Sequence, residues 1–273
     1  YSLFQYINRT STPVGKQHLA DWFNAHLELK ESIEQRQEAI RELSTDLEYR
    51  QQIRLFGLLY KGKPADTNEI RKWAGSPSYY RKHTLLRIIP TVVSIINLIC
   101  IGSAIVGILP ATVPGGVFFC FVIFSSIFSK GITKLQATYG KKLQILSTYA
   151  DQILLTEKKE MNSPVLQQLK TELTSQNQTA SQAVRQLSKL MNALDQRSNL
   201  LMSTILNGLI FWELRQVMRI EKWKETHASD LPRWIETIGE IDAYCSLATF
   251  TYNHPDYIFP KISSQSFHLR AEA

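Results

Sequence analysis

The feature that most constrains this chain is a run of 42 residues without a charge, from Ile88 to Ser129. It reads IIPTVVSIINLICIGSAIVGILPATVPGGVFFCFVIFSSIFS. One bilayer-spanning helix needs about 20 apolar residues, so the run is long enough for two spans and a tight turn. Pro110, Pro114, Gly115 and Gly116 put a turn signal at its middle. Val117–Ser129 is short for a span. The second helix is therefore expected to borrow Thr112–Pro114 or to run past Lys130, whose amine can snorkel to an interface. Asn97 fits a helix–helix contact, and Gly102 and Gly107 suit close packing there.

Charge supports the same reading. The net charge is +7. Between Ile70 and Ala150 there is no Asp or Glu, but there are nine basic residues: Arg71, Lys72, Arg81, Lys82, Arg87, Lys130, Lys134, Lys141 and Lys142. Taking these nine from the 31 Lys and Arg leaves 22 against 24 acidic residues, so the excess lies in this window alone. Arg81, Lys82, Arg87, Lys130, Lys134, Lys141 and Lys142 flank the apolar run, and its turn carries no charge. A hairpin with both feet in the cytoplasm gives this pattern. Membrane lipids are the expected partner, and the soluble parts are expected to be cytoplasmic. A hairpin buried in a large soluble core is the alternative. Nucleic acid is a weaker account of the basic residues, because they bracket an apolar run without an interleaved aromatic platform.

Outside the run, helix formers dominate. Lys30–Ser44 places Ile33, Ala39, Ile40 and Leu43 on one stripe, with Glu34, Glu38, Arg41 and Glu42 on a solvated face. Thr179–Glu225 carries Leu187, Leu190, Leu194, Leu201, Ile205, Leu209 and Trp212 at heptad-like steps. That predicts one or two long helices, kinked at Asn207–Gly208 if at all. A lever of this length would measure on the order of 65 Å. Leu143–Glu160 reads as an amphipathic helix continuing from the second span. Ser163–Pro164 and Asp230–Leu231–Pro232 mark two further helix starts. His254–Pro255 and Phe259–Pro260 end the helical pattern, and Ser266–Arg270 alternates like a strand start.

No catalytic motif stands out. There is no GxxxxGK[ST], GxGxxG, GxSxG, HExxH or CxxC. The six histidines have no ligand spacing, and Cys100, Cys120 and Cys245 are too scattered for a disulfide framework or a zinc site. The sequons at Asn8 and Asn177 are read as chance. The chain opens at Tyr1 without a signal-peptide pattern, which predicts a piece of a longer protein. No catalytic, metal or cofactor site is expected in it.

The two ends carry a resemblance. The segment Ser2-Leu-Phe-Gln-Tyr-Ile-Asn8-Arg9-Thr10-Ser-Thr12-Pro-Val-Gly15-Lys-Gln-His-Leu19-Ala-Asp-Trp22-Phe resembles the start of the core (lever) domain of MutS-family ATPases, with its "L…LNRTxTxxGxRLLxxWL" pattern. Ile33-Glu-Gln-Arg36-Gln37-Glu-Ala39-Ile40-Arg-Glu42-Leu43 is similar to the "I..RQ.AV.EL" helix that follows there. Glu240-Ile241-Asp242-Ala243-Tyr244-Cys245-Ser246-Leu247-Ala248 looks like the family's "lDvlaSlA" helix, and Tyr257–Leu269 like the lead-in to its ATPase domain. The resemblance implies an all-α, core-like bundle with long lever helices, here with an inserted apolar, transmembrane helical hairpin. The expected order is residues 1–87 for the first part of the core and 88–129 for the hairpin. Residues 130–253 are then the lever and rest of the core, and 254–273 a linker with the first strand of an ATPase domain.

It further implies that Asn8, Arg9, Thr10, Thr12, Gly15, Trp22, Arg36, Asp242 and Ser246 form a junction that transmits nucleotide state. ATP and Mg²⁺ would be bound by the ATPase domain, which would also mediate a homodimer. The resemblance implies a DNA mismatch repair-type ATPase; a mismatch-repair protein that binds mismatched duplex DNA between its levers is a second reading of the function, and a helical membrane scaffold a third. The family's levers grip DNA where this chain has its apolar run, so no DNA contact is carried over.

Overall fold

The computed structural model describes residues 2–59, 64–174, 179–195 and 200–263. Every element among them is a helix: α1 (Leu3–Ile7), α2 (Pro13–Asn24), α3 (Lys30–Thr45), α4 (Leu47–Leu59), α5 (Pro64–Gly75), α6 (Thr84–Ile105), α7 (Thr112–Lys158), α8 (Pro164–Glu172), α9 (Ala180–Asp195), α10 (Leu200–Ile210), α11 (Trp212–His227) and α12 (Asp230–Asn253). The described residues contain no strand beyond an isolated bridge between Thr174 and Thr179. The strand start expected at Ser266–Arg270, and Asn177 of the second sequon, lie outside the described residues.

The chain divides into two compact units. The first comprises Tyr1–Thr67, Thr148–Gln182 and Pro232–Ala273. Its core is built by Leu19, Leu43, Ile53, Ile153, Leu166, Trp234, Ile238 and Ile241, all but withdrawn from solvent. On α12, Trp234, Ile238 and Ile241 follow at steps of four and three residues, which is what turns an amphipathic stripe inward. The glutamate read as solvated at position 42 has a structural task. Its carboxylate accepts the backbone N–H of Asn162 at 2.8 Å and of Ser163 at 2.6 Å. It thereby caps the start of α8, and Ser163, expected as the cap, makes no side-chain cap bond.

The second unit comprises Asn68–Ser147 and Ala183–Leu231. Trp73 stacks on Trp223 at 6.4 Å between ring centroids, and the Trp223 indole donates to the Ala183 carbonyl at 2.8 Å. Here Leu143–Lys158 continues the second apolar segment as expected, and the helix plan departs from the periodicity in two other places. The 47-residue helix is α7, which starts in the apolar run and continues without a break to Lys158. Thr179–Glu225, expected as one or two long helices, holds α9, α10 and most of α11 among its described residues. Phe211, with a left-handed backbone (φ 52°), separates α10 from α11, and Asn207–Gly208 lie within α10. The hairpin turn occupies residues 106–111, with Gly107 at φ 81°, while Pro114, Gly115 and Gly116 lie in the first turns of α7. Proline is tolerated there because the first N–H groups of a helix have no partner to lose.

The close packing expected at Gly102 and Gly107 is not found, since both face open space. It occurs at Gly208, where an added Cβ would meet the Phe118 ring at 2.3 Å and Val122 at 2.8 Å.

Candidate functional site

The densest polar constellation in the first unit lies where the α1–α2 connection meets α12. Asp242 is buried, and its carboxylate is filled by short donors. Oδ2 accepts Thr12 N–H at 2.8 Å, Thr12 O–H at 2.8 Å and Ser11 N–H at 2.9 Å, while Oδ1 accepts Ser11 O–H at 3.1 Å. Thr12 is also the N-cap of α2: its hydroxyl oxygen accepts Gly15 N–H at 3.0 Å, and Pro13 follows at the first helical position. One side chain therefore starts the helix and ties that start to a second helix.

Glycine is required at this crossing. A Cβ at Gly15 would lie 2.5 Å from Asp242 Oδ2, and one at Gly239 would lie 2.4 Å from Val14 Cγ1. Gly57 on α4 faces Ser11 in the same way, at 2.0 Å from its Oγ. One turn further along α12, Ser246 accepts Arg9 N–H at 2.8 Å and donates to the Ile7 carbonyl at 2.9 Å. The Asn8 side-chain oxygen accepts both the N–H and the O–H of Thr10, at 3.1 and 2.7 Å, folding the loop on itself. Trp22 packs on Tyr244 at 4.7 Å between centroids, with the Arg36 guanidinium 4.3 Å from the indole centroid. Of the nine motif residues, Asn8, Arg9, Thr10, Thr12, Gly15, Asp242 and Ser246 meet in or beside this crossing, and Trp22 with Arg36 packs at Tyr244 on the same helix.

Several partners carry no sequence signal of their own. Ser11 and Gly239 complete the junction without belonging to the quoted patterns. On α3, Gln37 donates to the Pro260 carbonyl at 3.0 Å and Arg41 lies 4.5 Å from the Phe259 ring centroid, so the segment after α12 is strapped down. Nearby, Tyr6 O–H meets His254 Nε2 at 2.8 Å, and His254 Nδ1–H donates to the Phe250 carbonyl at 2.9 Å.

Burial pushes the Asp242 carboxyl up to about 6, against the lowering effect of the Thr12 and Ser11 hydrogen bonds. Between its ordinary value of 3.8 and about 6, the folded chain holds a proton that the unfolded chain has released. This group's stabilising contribution is therefore complete below about 3.8 and lost as pH rises through about 6. The difference is worth about 3 kcal/mol. Asp242→Asn keeps an oxygen for the Thr12 donors and offers an amide to Ser11 Oγ. The expected result is that unfolding followed between pH 4 and 7 loses this slope in the variant. An unchanged slope would assign the titration to another group.

Burial pushes the neighbouring Cys245 thiol far up, so it stays protonated and is no nucleophile. Among the described residues no group of three or more His, Cys, Asp or Glu is placed to hold a metal ion.

The basic flank is dispersed in the second unit. Arg81 pairs with Glu225 at 2.9 Å, and Glu221, buried on α11, accepts the N–H groups of Tyr79, Tyr80 and Arg81 at 2.8, 3.2 and 2.7 Å. The acid-free window thus receives its carboxylates from a helix about 140 residues later. Lys82 and Arg87 are exposed at the start of α6. Lys130, Lys134, Lys141 and Lys142 lie on α7, and their side chains are outside the described residues.

The family model for MutS domain III matches residues 1–248, from the first residue of the chain into the helix that holds Asp242 and Ser246. The chain belongs to the MutS family. No curated protein and no solved structure matches the chain. The matched range runs across residues 88–129 and ends within α12. Domain III is not the family's ATPase domain.

Proposed function

We propose that this domain III acts as a transmission module of a MutS-like protein, anchored in a membrane by the α6–α7 hairpin. The observation that carries the reading is the exposure of that hairpin. Thr84–Ile105 and Thr112–Ser129 are each long and apolar enough to span, and none of the second segment is buried. Ile105 is 80% exposed and Ile123 69%. Two adjoining apolar helices with bare outer faces are not sustained in water, but they match a hydrocarbon medium. Lys82 and Arg87 at the foot favour a cytoplasmic location for the helical core.

The junction supports the coupling part of the reading. It joins the α1–α2 connection to α12 through a buried carboxylate and two glycine-dependent contacts, a rigid link suited to passing on movement. The drive would be ATP with Mg²⁺ in an ATPase domain of the parent protein, and that domain would also form the homodimer. Fractionation tests the anchor. The whole chain should stay in carbonate-washed membranes and require detergent for release. Recovery in the wash would reject the anchor.

A second reading follows from family membership, since MutS proteins suggest duplex DNA as a partner. It predicts affinity for duplex DNA that falls steeply and log-linearly with salt.

A further inference from the structure

Helix α10 is built inside out for a protein in water. It carries no charge, and its exposed residues are the large apolar ones: Leu201 at 77%, Ile205 at 47%, and Met202. Two of its polar side chains, Ser203 and Asn207, bond to Glu213 at the start of α11. Ser203 donates to Glu213 Oε1 at 2.9 Å, and Asn207 Oδ1 accepts Glu213 N–H at 3.0 Å. Ser203 and Glu213 would stand about 15 Å apart along one straight helix, so the left-handed turn at Phe211 folds α10 sharply back against the start of α11.

The end of α10 is sealed as a helix end in hydrocarbon must be. The last carbonyls of a helix lack internal partners, and in water solvent supplies them. Here Asn97 of α6 donates to the carbonyls of Gly208 and Leu209 at 3.0 and 2.9 Å. Arg215 donates to the Ile210 carbonyl at 2.8 Å, and also to the Pro90 carbonyl and Ser94 Oγ. Exposed non-helical backbone does not occur in the hydrocarbon layer unless protein groups satisfy it.

The height of the contact points the same way. Gly208 lies against Phe118 and Val122, midway along the apolar part of α7, and Phe211 packs among Phe121, Phe124 and Phe128. At 11 residues α10 is about 16 Å long, too short for a core of about 30 Å.

We propose that α10 is a third membrane element, a re-entrant half-helix packed on the hairpin, whose Leu201 and Ile205 face lipid acyl chains. It rests on the reading of the hairpin as a membrane anchor. The occupant is lipid and not a second copy, because this face adjoins a hairpin whose own outer faces are bare and apolar.

The test uses a polarity-sensitive maleimide dye on the full chain in phosphatidylcholine vesicles. Native Cys120, exposed on α7, reports the hairpin when Cys100 is serine, and Cys245 is buried from the dye. Leu201→Cys, with Cys100 and Cys120 as serine, reports α10. Both dyes should lose most of their emission to lipid carrying a nitroxide on the acyl chain, and both should be protected from aqueous iodide. If only the Cys120 dye is quenched by lipid while the dye at position 201 stays open to iodide, the half-helix is rejected and the hairpin stands. If neither is quenched by lipid, both readings fall. If the dye at position 201 is shielded from iodide and from lipid, and opens on dilution of the protein, the face is a contact between copies and the proposal is overturned.

Discussion

Replacing Asp242 by alanine is expected to destabilise the first unit by about 3–5 kcal/mol, the range for breaking a buried charge-assisted network by removing one partner. The loss is large because of what stays behind. Two backbone N–H groups and two hydroxyls, on Ser11 and Thr12, would face a small cavity with no acceptor. An unsatisfied buried donor costs about 1–3 kcal/mol. Removing a carboxylate that burial already penalises returns part of the sum. Asp242→Asn separates the two effects, since it keeps most of the acceptor geometry without the charge. Denaturant unfolding of the two variants beside the parent measures this. The latch assignment fails if alanine costs no more than asparagine.

The second large effect is expected at the hairpin. Ile99→Arg with Ile123→Arg places two guanidiniums on exposed positions of α6 and α7, away from the ends of both apolar segments. At about 2.5–3.5 kcal/mol for each arginine near a span centre, insertion loses roughly 5–7 kcal/mol. Most of the protein should then leave carbonate-washed membranes. In a soluble protein the same exposed substitutions fall within about 0.5 kcal/mol of neutral. These positions serve better than deletion of the hairpin, because deletion would also remove Asn97 and the phenylalanines that support α10 and Phe211. Unchanged partition of the double variant would place Ile99 and Ile123 out of contact with lipid.

The helical class and the apolar hairpin were legible in the sequence for physical reasons, and the junction residues chiefly through the resemblance of the two chain ends. A charge-free run of that length has few destinations in a folded protein. Asn8, Thr10, Thr12 and Gly15 are types that bond nearby backbone or allow close approach, whereas Asp242 and Ser246 stood out only through the resemblance of their helix to the family's. What stayed hidden depended on distance or on a single backbone angle. Nothing around Phe211 predicts a left-handed residue, so Leu201, Ile205 and Leu209 read as the seam of a longer lever. Gly208 spaced like a kink, but it is small in order to admit Phe118. Glu42 looked like a solvated charge and Glu221 carried no signal, because the N–H groups they satisfy lie at positions 162–163 and 79–81, far away in the sequence.

Those separations have a consequence for the order in which the molecule is made. A ribosome delivers the chain from its N-terminus at about 5–20 residues per second. The hairpin is therefore complete on the order of ten seconds before Glu221 emerges to fix the turn at its foot. Ser11 and Thr12 wait longer, until Asp242, some 230 residues later, comes into reach. The apolar pair must find its surroundings while its foot is still loose, and the latch of the first unit closes last.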